Sequence, residues 1–486
     1  MPNSAVRARR LQAQVMLYLL SFILTGIGIL AVDNFWNQTN FLVLFNLLGL
    51  IMVANVFVFR KIIGPTFWQS LPMMLTIYVF LALFIPTLLI YRSETLKDLL
   101  EWDDYLILKA SSLGVVFVQC LWMMYHLGIT VFPKTSIAGK PGPLTMDKIY
   151  IMLILALVTN LIAVVSGTFG ILQSTDLEET SKYSVFIDLG QQLSLFALII
   201  LTYYYTSKKW LIGGLALILF GIGVVSAQKQ AALMPLFVVG VTLLFKTGKF
   251  PKGIVLLTVV GTLLAFVAVT SIRQYYFAQH MEGVNSISQV KEISTMALNQ
   301  QNFNKAYTSY NVNEHILMRL FYGNAVGKAI DYCSKHGYGV PDNSALYHVL
   351  LSPFYSVVPR FLIPEKPEAN FGNWFASKIY VGYKVKYSIG ITPIGYGYML
   401  NGFWGVVAVA GLLGLFMAFL YRLLMPGHVM LYILVFVKTI LPADVTWEYF
   451  AGNLKMILVY WIIYYLLTIR IFPRHYLATT SSEART

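Results

Sequence analysis

Apolar runs, each closed by a short polar or charged connection, recur along most of this chain. Twelve are of about span length: 13–32, 41–59, 71–91, 105–126, 149–170, 185–206, 210–227, 231–247, 253–272, 393–421, 428–443 and 450–470. A helix needs roughly 20 apolar residues to cross the ~30 Å hydrocarbon core of a bilayer. The pattern therefore predicts an all-α polytopic membrane protein with about twelve transmembrane helices. Two places fit least well: 428–443 is short and holds Lys438, and the runs on either side of 228–230 almost touch. Between Arg273 and Ile391 the pattern stops for 119 residues. The expected organisation is nine helices in 1–272, a large external loop in 273–391, and three helices with a tail in 392–486.

The island itself is not featureless. Tyr310–Lys335 lacks proline and spaces Ile316, Leu317, Leu320, Phe321, Val326 and Ile330 roughly as a helix would. Asp342 and Asn343 follow Pro341 and are placed to cap a short helix through Leu351. Pro353, Pro359, Pro364 and Pro367 then break the chain into rigid turns, and a short helix is expected around Phe371–Tyr380. A segment so apolar reads as a folded cap resting on the membrane surface.

Composition agrees with the pattern. Of 486 residues, 58% are hydrophobic and 12% charged, whereas a soluble domain carries about a quarter charged residues. The N-terminal run is of span length and has no small-residue cleavage site, so no cleavable signal peptide is expected. Cys120 falls within a predicted span and Cys333 in the loop, so neither a bridge between them nor a cysteine metal site is expected.

The net charge of +14 is mainly a topology signal. With the N-terminus inside, alternate connections hold seventeen Lys and Arg residues against two acids, Asp147 and Glu483. The remainder of the chain holds eighteen basic and nineteen acidic residues. Basic residues concentrate on the cytoplasmic side of membrane proteins, so both termini are expected inside and the large loop outside. Within the loop, eleven Lys and Arg residues face seven acids, together with twelve tyrosines. That local excess points to an anionic, ring-bearing ligand, and not to nucleic acid.

Several residues are candidates for chemistry. Arg273 follows the ninth predicted span, Arg319 lies on the predicted loop helix, and Arg360 closes Val358-Pro359-Arg360. Arginine suits pyrophosphate because its planar fork donates two hydrogen bonds and stays charged; the competing use is anchoring to lipid headgroups or pairing with Glu314 or Glu365. Lys229, in Ser226-Ala227-Gln228-Lys229-Gln230, occupies a tight outside turn and either reaches a cavity or snorkels to the interface. His348, among Leu346, Tyr347, Val349 and Leu350, is a candidate general base or a packed histidine; His280, His315 and His336 lie in more polar settings. Glu365, Asp342 and Glu314 compete for the same role. Glu101-Trp102-Asp103-Asp104 is an acidic cluster on an outside connection. It either holds a divalent metal or simply marks the connection as external; the external-marker reading is preferred and no metal is expected. Lys438, Asp444 and Glu448 cluster near the outer ends of the last two spans, either as a functional group or as a structural pairing.

Val358-Pro359-Arg360-Phe361-Leu362-Ile363-Pro364-Glu365-Lys366-Pro367 resembles the proline-bracketed Pro-Arg to Lys-Pro segment of bacterial Wzy-type O-antigen polymerases, which join oligosaccharide repeat units. Ser388–Tyr398, followed by Asn401-Gly402-Phe403-Trp404-Gly405, resembles their next span, and the Lys229 turn resembles their basic hairpin. The resemblance covers residues 220–425 best. It departs from the family where many relatives carry an acid near the start of the span after the loop: this chain has Tyr396 and Tyr398. Related O-antigen ligases often carry a His-Asn pair in the loop, where Asp342-Asn343 stands here.

What the resemblance implies is a GT-C-like architecture in the bacterial inner membrane, acting outside it without a nucleotide sugar, metal or other cofactor. The donor would be a glycan on undecaprenyl diphosphate and the acceptor a second lipid-linked repeat unit. Arg273, Arg319, Arg360, Lys366 and Lys229 would stabilise the diphosphate leaving group. His348 or Glu365 would accept the hydroxyl proton, and Tyr355, Trp374 and Tyr383 would pack on sugar C–H faces. A flippase and a chain-length regulator are the candidate protein partners. Rival readings are a lipid-linked oligosaccharide flippase or transporter, an O-antigen ligase, and a metal-dependent transferase using a monophosphate lipid donor. The transporter reading suffers because 119 residues separate spans nine and ten, and because most charges lie at span ends.

Overall fold

The computed structural model describes residues 2–133, 146–165, 177–225, 229–249, 251–254, 256–258, 260–261, 269, 321–339, 371–380, 390–425 and 427–440. Among these residues every regular element is a helix. The helices are α1 (Pro2–Phe35), α2 (Phe41–Ile63), α3 (Leu71–Ile90), α4 (Glu94–Leu100), α5 (Asp104–Val131), α6 (Met146–Val165), α7 (Leu177–Tyr204), α8 (Lys209–Val225), α9 (Lys229–Thr247), α10 (Tyr322–His336), α11 (Phe371–Phe375), α12 (Thr392–Leu424) and α13 (Val429–Ile440). Five segments are long and apolar enough to cross a membrane: Leu11–Phe35, Phe41–Gln69, Leu71–Ile90, Asp104–Val131 and Thr392–Leu424. They coincide with expected runs one to four and ten. Helices also cover most of 149–170, 185–206, 210–227, 231–247 and 428–443. Run 253–272 is described only in part, and 450–470 lies outside the described residues.

The chain divides into two compact units, one built mainly from residues 1–136 and 303–426, the other mainly from 137–302. In the second unit α6 pairs with α7, and α8 with α9. Lys229, expected in a turn, is the first residue of α9; its side chain lies outside the description.

In the first unit α5 is the central post, with α1, α2, α10 and α12 packed on it. Its start is set by Asp103, whose carboxylate accepts from the Leu106 amide at 3.0 Å. Trp122 is fully buried, stacks on Phe67 at 4.6 Å, and donates its indole N–H to Thr76 Oγ1 at 2.9 Å. Between α1 and α2, Ser21 donates to Asn55, which donates in turn to Thr25, so three buried polar side chains satisfy one another in an apolar setting. The outer face of α1 presents Leu11, Met16, Ile23 and Leu30, all exposed. Such a face is stable against lipid and costly against water.

The tenth expected span, 393–421, is not one continuous rod. Asn401 and Gly402 leave the helical region, at φ −160°, ψ 44° and φ 56°, ψ −138°, and divide α12 into a short arm, 392–400, and a long arm, 403–424. Positions 397 and 405 would be about 12 Å apart along a continuous helix. Instead a Cβ on Gly405 would lie 1.9 Å from the Gly397 carbonyl oxygen. The arms therefore form a hairpin seated on paired glycines. The long arm then runs down α5, with Gly414 against the Leu121 carbonyl, Gly411 against Met124, and Gly128 against Ala418.

Candidate functional site

The ends of α1, α2, α3 and α5 that carry Trp36, Phe41, Tyr91 and Tyr105 gather at one end of the first unit. Phe41 stacks on Tyr91 at 4.7 Å, Trp36 meets Tyr105 at 4.8 Å, and Trp102 stacks on Phe321 at 5.6 Å. That last contact ties the loop helix α10 to the bundle. α10 covers the C-terminal part of the predicted helix Tyr310–Lys335 and runs one residue past it, from Tyr322 to His336; residues 310–320 fall outside the described set.

α10 is strongly amphipathic. Ala325, Val326, Ala329, Ile330 and Cys333 are buried, while Lys328, Asp331, Tyr332, Lys335 and His336 line a cavity of about 360 Å³. Glu101, Asp103 and Lys378 close its other sides. Lys328 Nζ lies 2.7 Å from Glu101, and Lys335 Nζ lies 2.7 Å from Asp331. The Tyr332 ring stacks over His336 at 4.4 Å and meets Trp374 edge-on at 6.3 Å. Trp374 belongs to α11, which continues as a single π turn, Ala376–Tyr380, and so matches the short helix expected at Phe371–Tyr380.

Electrostatics follow from these contacts. The hydrogen bond from Lys328, and then its positive charge, hold the Glu101 carboxyl below the usual carboxylate range. Burial raises the Tyr332 hydroxyl and pushes the Cys333 thiol up to about 11. Cys333 and Cys120 are both free and buried, so Cys333 is a packing residue with little thiolate at neutral pH.

The acidic cluster Glu101–Asp104 is divided among separate partners: Glu101 pairs with Lys328, Asp103 caps α5, and Asp104 accepts from the Trp102 indole at 2.6 Å. These roles are structural. Among the described residues no group of three or more His, Cys, Asp or Glu side chains is placed to hold a metal ion.

Of the site residues named from sequence, Trp374 is brought against Tyr332, one of the lining residues, without itself lining the cavity. Arg273, Arg319, Arg360, Lys366, His348, Glu365, Tyr355 and Tyr383 lie outside the described residues, as do His280, His315, Glu314, Asp342, Asp444 and Glu448; the side chain of Lys438 is likewise not described. Lys328, Asp331, Tyr332, Lys335 and Lys378 were not singled out by the sequence reading. Their signal was present: positions 328, 331, 332 and 335 recur at helical spacing opposite the apolar stripe.

Ammonium groups, carboxylates and aromatic faces in one half-open cavity can hold a polyhydroxylated ligand. Donors and acceptors meet its hydroxyls, and ring faces meet its C–H surfaces. The fold and its exposed apolar helices define the class: a helical membrane protein with several helices able to span the bilayer. No family model, curated protein or solved structure matches the chain.

Proposed function

We propose that this chain is a twelve-span inner-membrane glycosyltransferase that polymerises lipid-linked oligosaccharide repeat units on the external face. Both termini are cytoplasmic in this reading, and the 273–391 segment caps the site outside. A glycan would leave undecaprenyl diphosphate as a hydroxyl of a second lipid-linked unit attacks the donor's anomeric carbon. The new glycosidic bond forms as the anomeric C–O bond to diphosphate breaks, and the hydroxyl proton passes to a base. The supporting observation is the polar face of α10, where Lys328, Asp331, Tyr332, Lys335 and His336 line a cavity beside Trp374. It supplies carbohydrate-binding groups in the segment that the charge bias assigns outside. Arg273, Arg319, Arg360, Lys366 and Lys229 remain the proposed diphosphate contacts, and His348 or Glu365 the proposed base.

The test is genetic and chemical. Cells lacking the gene are expected to make single repeat units on the lipid carrier or lipid core without long chains. Trp374→Ala and Arg360→Ala are expected to stop chain growth while leaving normal amounts of folded protein in the membrane. Long polymer in the deletion strain, with lipid-linked repeats accumulating on the cytoplasmic side, would favour the flippase reading instead.

A further inference from the structure

A second cavity of about 360 Å³ lies in the first unit away from the α10 polar face. Ile29 and Asp33 of α1 form one wall, and Tyr398 and Phe403 of α12 the other. α5 contributes Lys109, Ser112, Leu113 and Val116, and Tyr338, just past α10, also lines it.

The break in α12 builds this cavity. At the break Asn401 is exposed and Gly402 buried. Tyr398 and Phe403 flank Asn401 and Gly402, so the interrupted backbone opens here. The loop after α10 is docked onto the break: the Gly339 amide donates to the Met399 carbonyl at 2.9 Å, and the Tyr338 ring crosses Tyr398 at 5.8 Å. Gly402 has φ +56°, and a Cβ there would lie 2.8 Å from Tyr338 Cζ. Only glycine lets the tyrosine lie there.

The chemistry of the lining selects its ligand. Lys109 Nζ is 2.6 Å from Asp33, so the cavity's one ammonium and one carboxylate cancel. A phosphate would meet no net positive charge. Yet both groups are partly exposed and keep unused hydrogen-bonding capacity, because an ammonium has three donors and a carboxylate about four acceptor positions. The Ser112 hydroxyl donates to the Lys109 carbonyl at 2.8 Å and keeps its acceptor capacity. The Tyr338 and Tyr398 hydroxyls hydrogen-bond each other and keep one donor and further acceptor positions between them, and the two tyrosine rings and Phe403 present apolar faces. That set matches a neutral sugar ring. Next to the lining residues, Leu30 is 60% and Trp404 69% exposed, so the flanks of the cavity are apolar surface suited to a hydrocarbon chain.

We infer that this cavity, between α1 and the break in α12, binds an uncharged sugar residue of a membrane-anchored glycolipid, with Asp33, Lys109 and Tyr338 holding its hydroxyls. The inference deepens the proposed polymerase reading, on which it rests for the biological ligand: it supplies a second carbohydrate subsite, for the acceptor.

Full-length protein in phosphatidylcholine nanodiscs containing either monoglucosyl diacylglycerol or phosphatidylglycerol tests this by native mass spectrometry of retained lipid. Selective retention of the glucosyl lipid is expected, lowered about tenfold by Asp33→Asn and by Tyr338→Ala, with both variants still unfolding cooperatively in a thermal melt. Tyr398→Phe, which keeps the ring, is a milder variant if either of these fails to fold. Equal retention of both lipids, preference for phosphatidylglycerol, or indifference to all three substitutions would overturn the site. Competition by free glucose alone, without preference for the lipid form, would overturn the membrane-anchored ligand. Glycolipid retention by a protein that makes no polymer would remove the polymerase reading and leave the cavity standing. Polymer made without retention would do the reverse.

Discussion

Glu101 shows how one side chain couples the loop to the bundle. It stands at φ 50°, closing α4 in the left-handed region, and reaches Lys328 on α10 at 2.7 Å. Its side chain is 78% exposed, so the pair is worth at most about 1 kcal/mol. Because the folded carboxyl titrates below its unfolded value, this stabilisation is present at neutral pH. It disappears as pH falls through the lowered folded value. Glu101→Gln should therefore lower the thermal midpoint slightly at pH 7, and the difference from the parent protein should vanish in acid. A difference that grows on acidification would show that Lys328 is not the partner that matters. Gly402 carries more. At φ 56° and ψ −138° the backbone is close to a region essentially reserved for glycine, and the Tyr338 ring leaves no room for a methyl group, so Gly402→Ala is expected to cost about 1–3 kcal/mol from backbone conformation alone. It should also displace Tyr338, which quenching of a fluorophore placed at that loop would report. At this scale the sequence was informative about type and silent about partners. It marked Glu101–Asp104 as an acidic cluster, but only the fold assigns each carboxylate a different task.

At the scale of elements, the seam between α5 and the long arm of α12 depends on small residues. Gly414 faces the Leu121 carbonyl, and its absent Cβ would lie 2.4 Å from that oxygen; Gly128 meets Ala418 Cβ at 2.5 Å. Close backbone approach of this kind drives helix association where no hydrophobic force acts between helices in lipid. Gly414→Leu should force the helices apart, at a cost of about 1–3 kcal/mol or more. The expected result is loss of folded protein in mild detergent, seen as aggregation on size exclusion. A stable Gly414→Leu protein would mean that the seam does not depend on close backbone approach. The apolar runs predicted where most helices lie, because a membrane-spanning helix needs only length and hydrophobicity. They could not reveal the hairpin in α12. Asn401-Gly402 interrupts the apolar run by only two positions, and hydropathy averages across them. What decides the fold there is the pair Gly397 and Gly405, which allow two helix arms to touch.

For the whole molecule the testable feature is sidedness. In a protein with Cys120 and Cys333 replaced, Lys335→Cys should react with an impermeant maleimide added to intact cells with a permeabilised outer layer. Lys209→Cys should react only after the plasma membrane is opened. The opposite pattern would invert the topology and, with it, the external placement of the cap. The sequence by itself determined that the chain is helical, apolar enough for a membrane, and asymmetric in its basic residues, since each property is a sum over composition and spacing. It also predicted a helix over Tyr310–Lys335, helical from Tyr322 on, and another at Phe371–Tyr380, both from local periodicity and breakers. Only the tertiary structure decided which polar groups share a cavity. Glu101 meets Lys328, and Asp33 meets Lys109, across separations in sequence that no local pattern encodes. Such pairings are set by how helices pack, and packing depends on the absence of side chains at a few glycines as much as on the residues that carry charge.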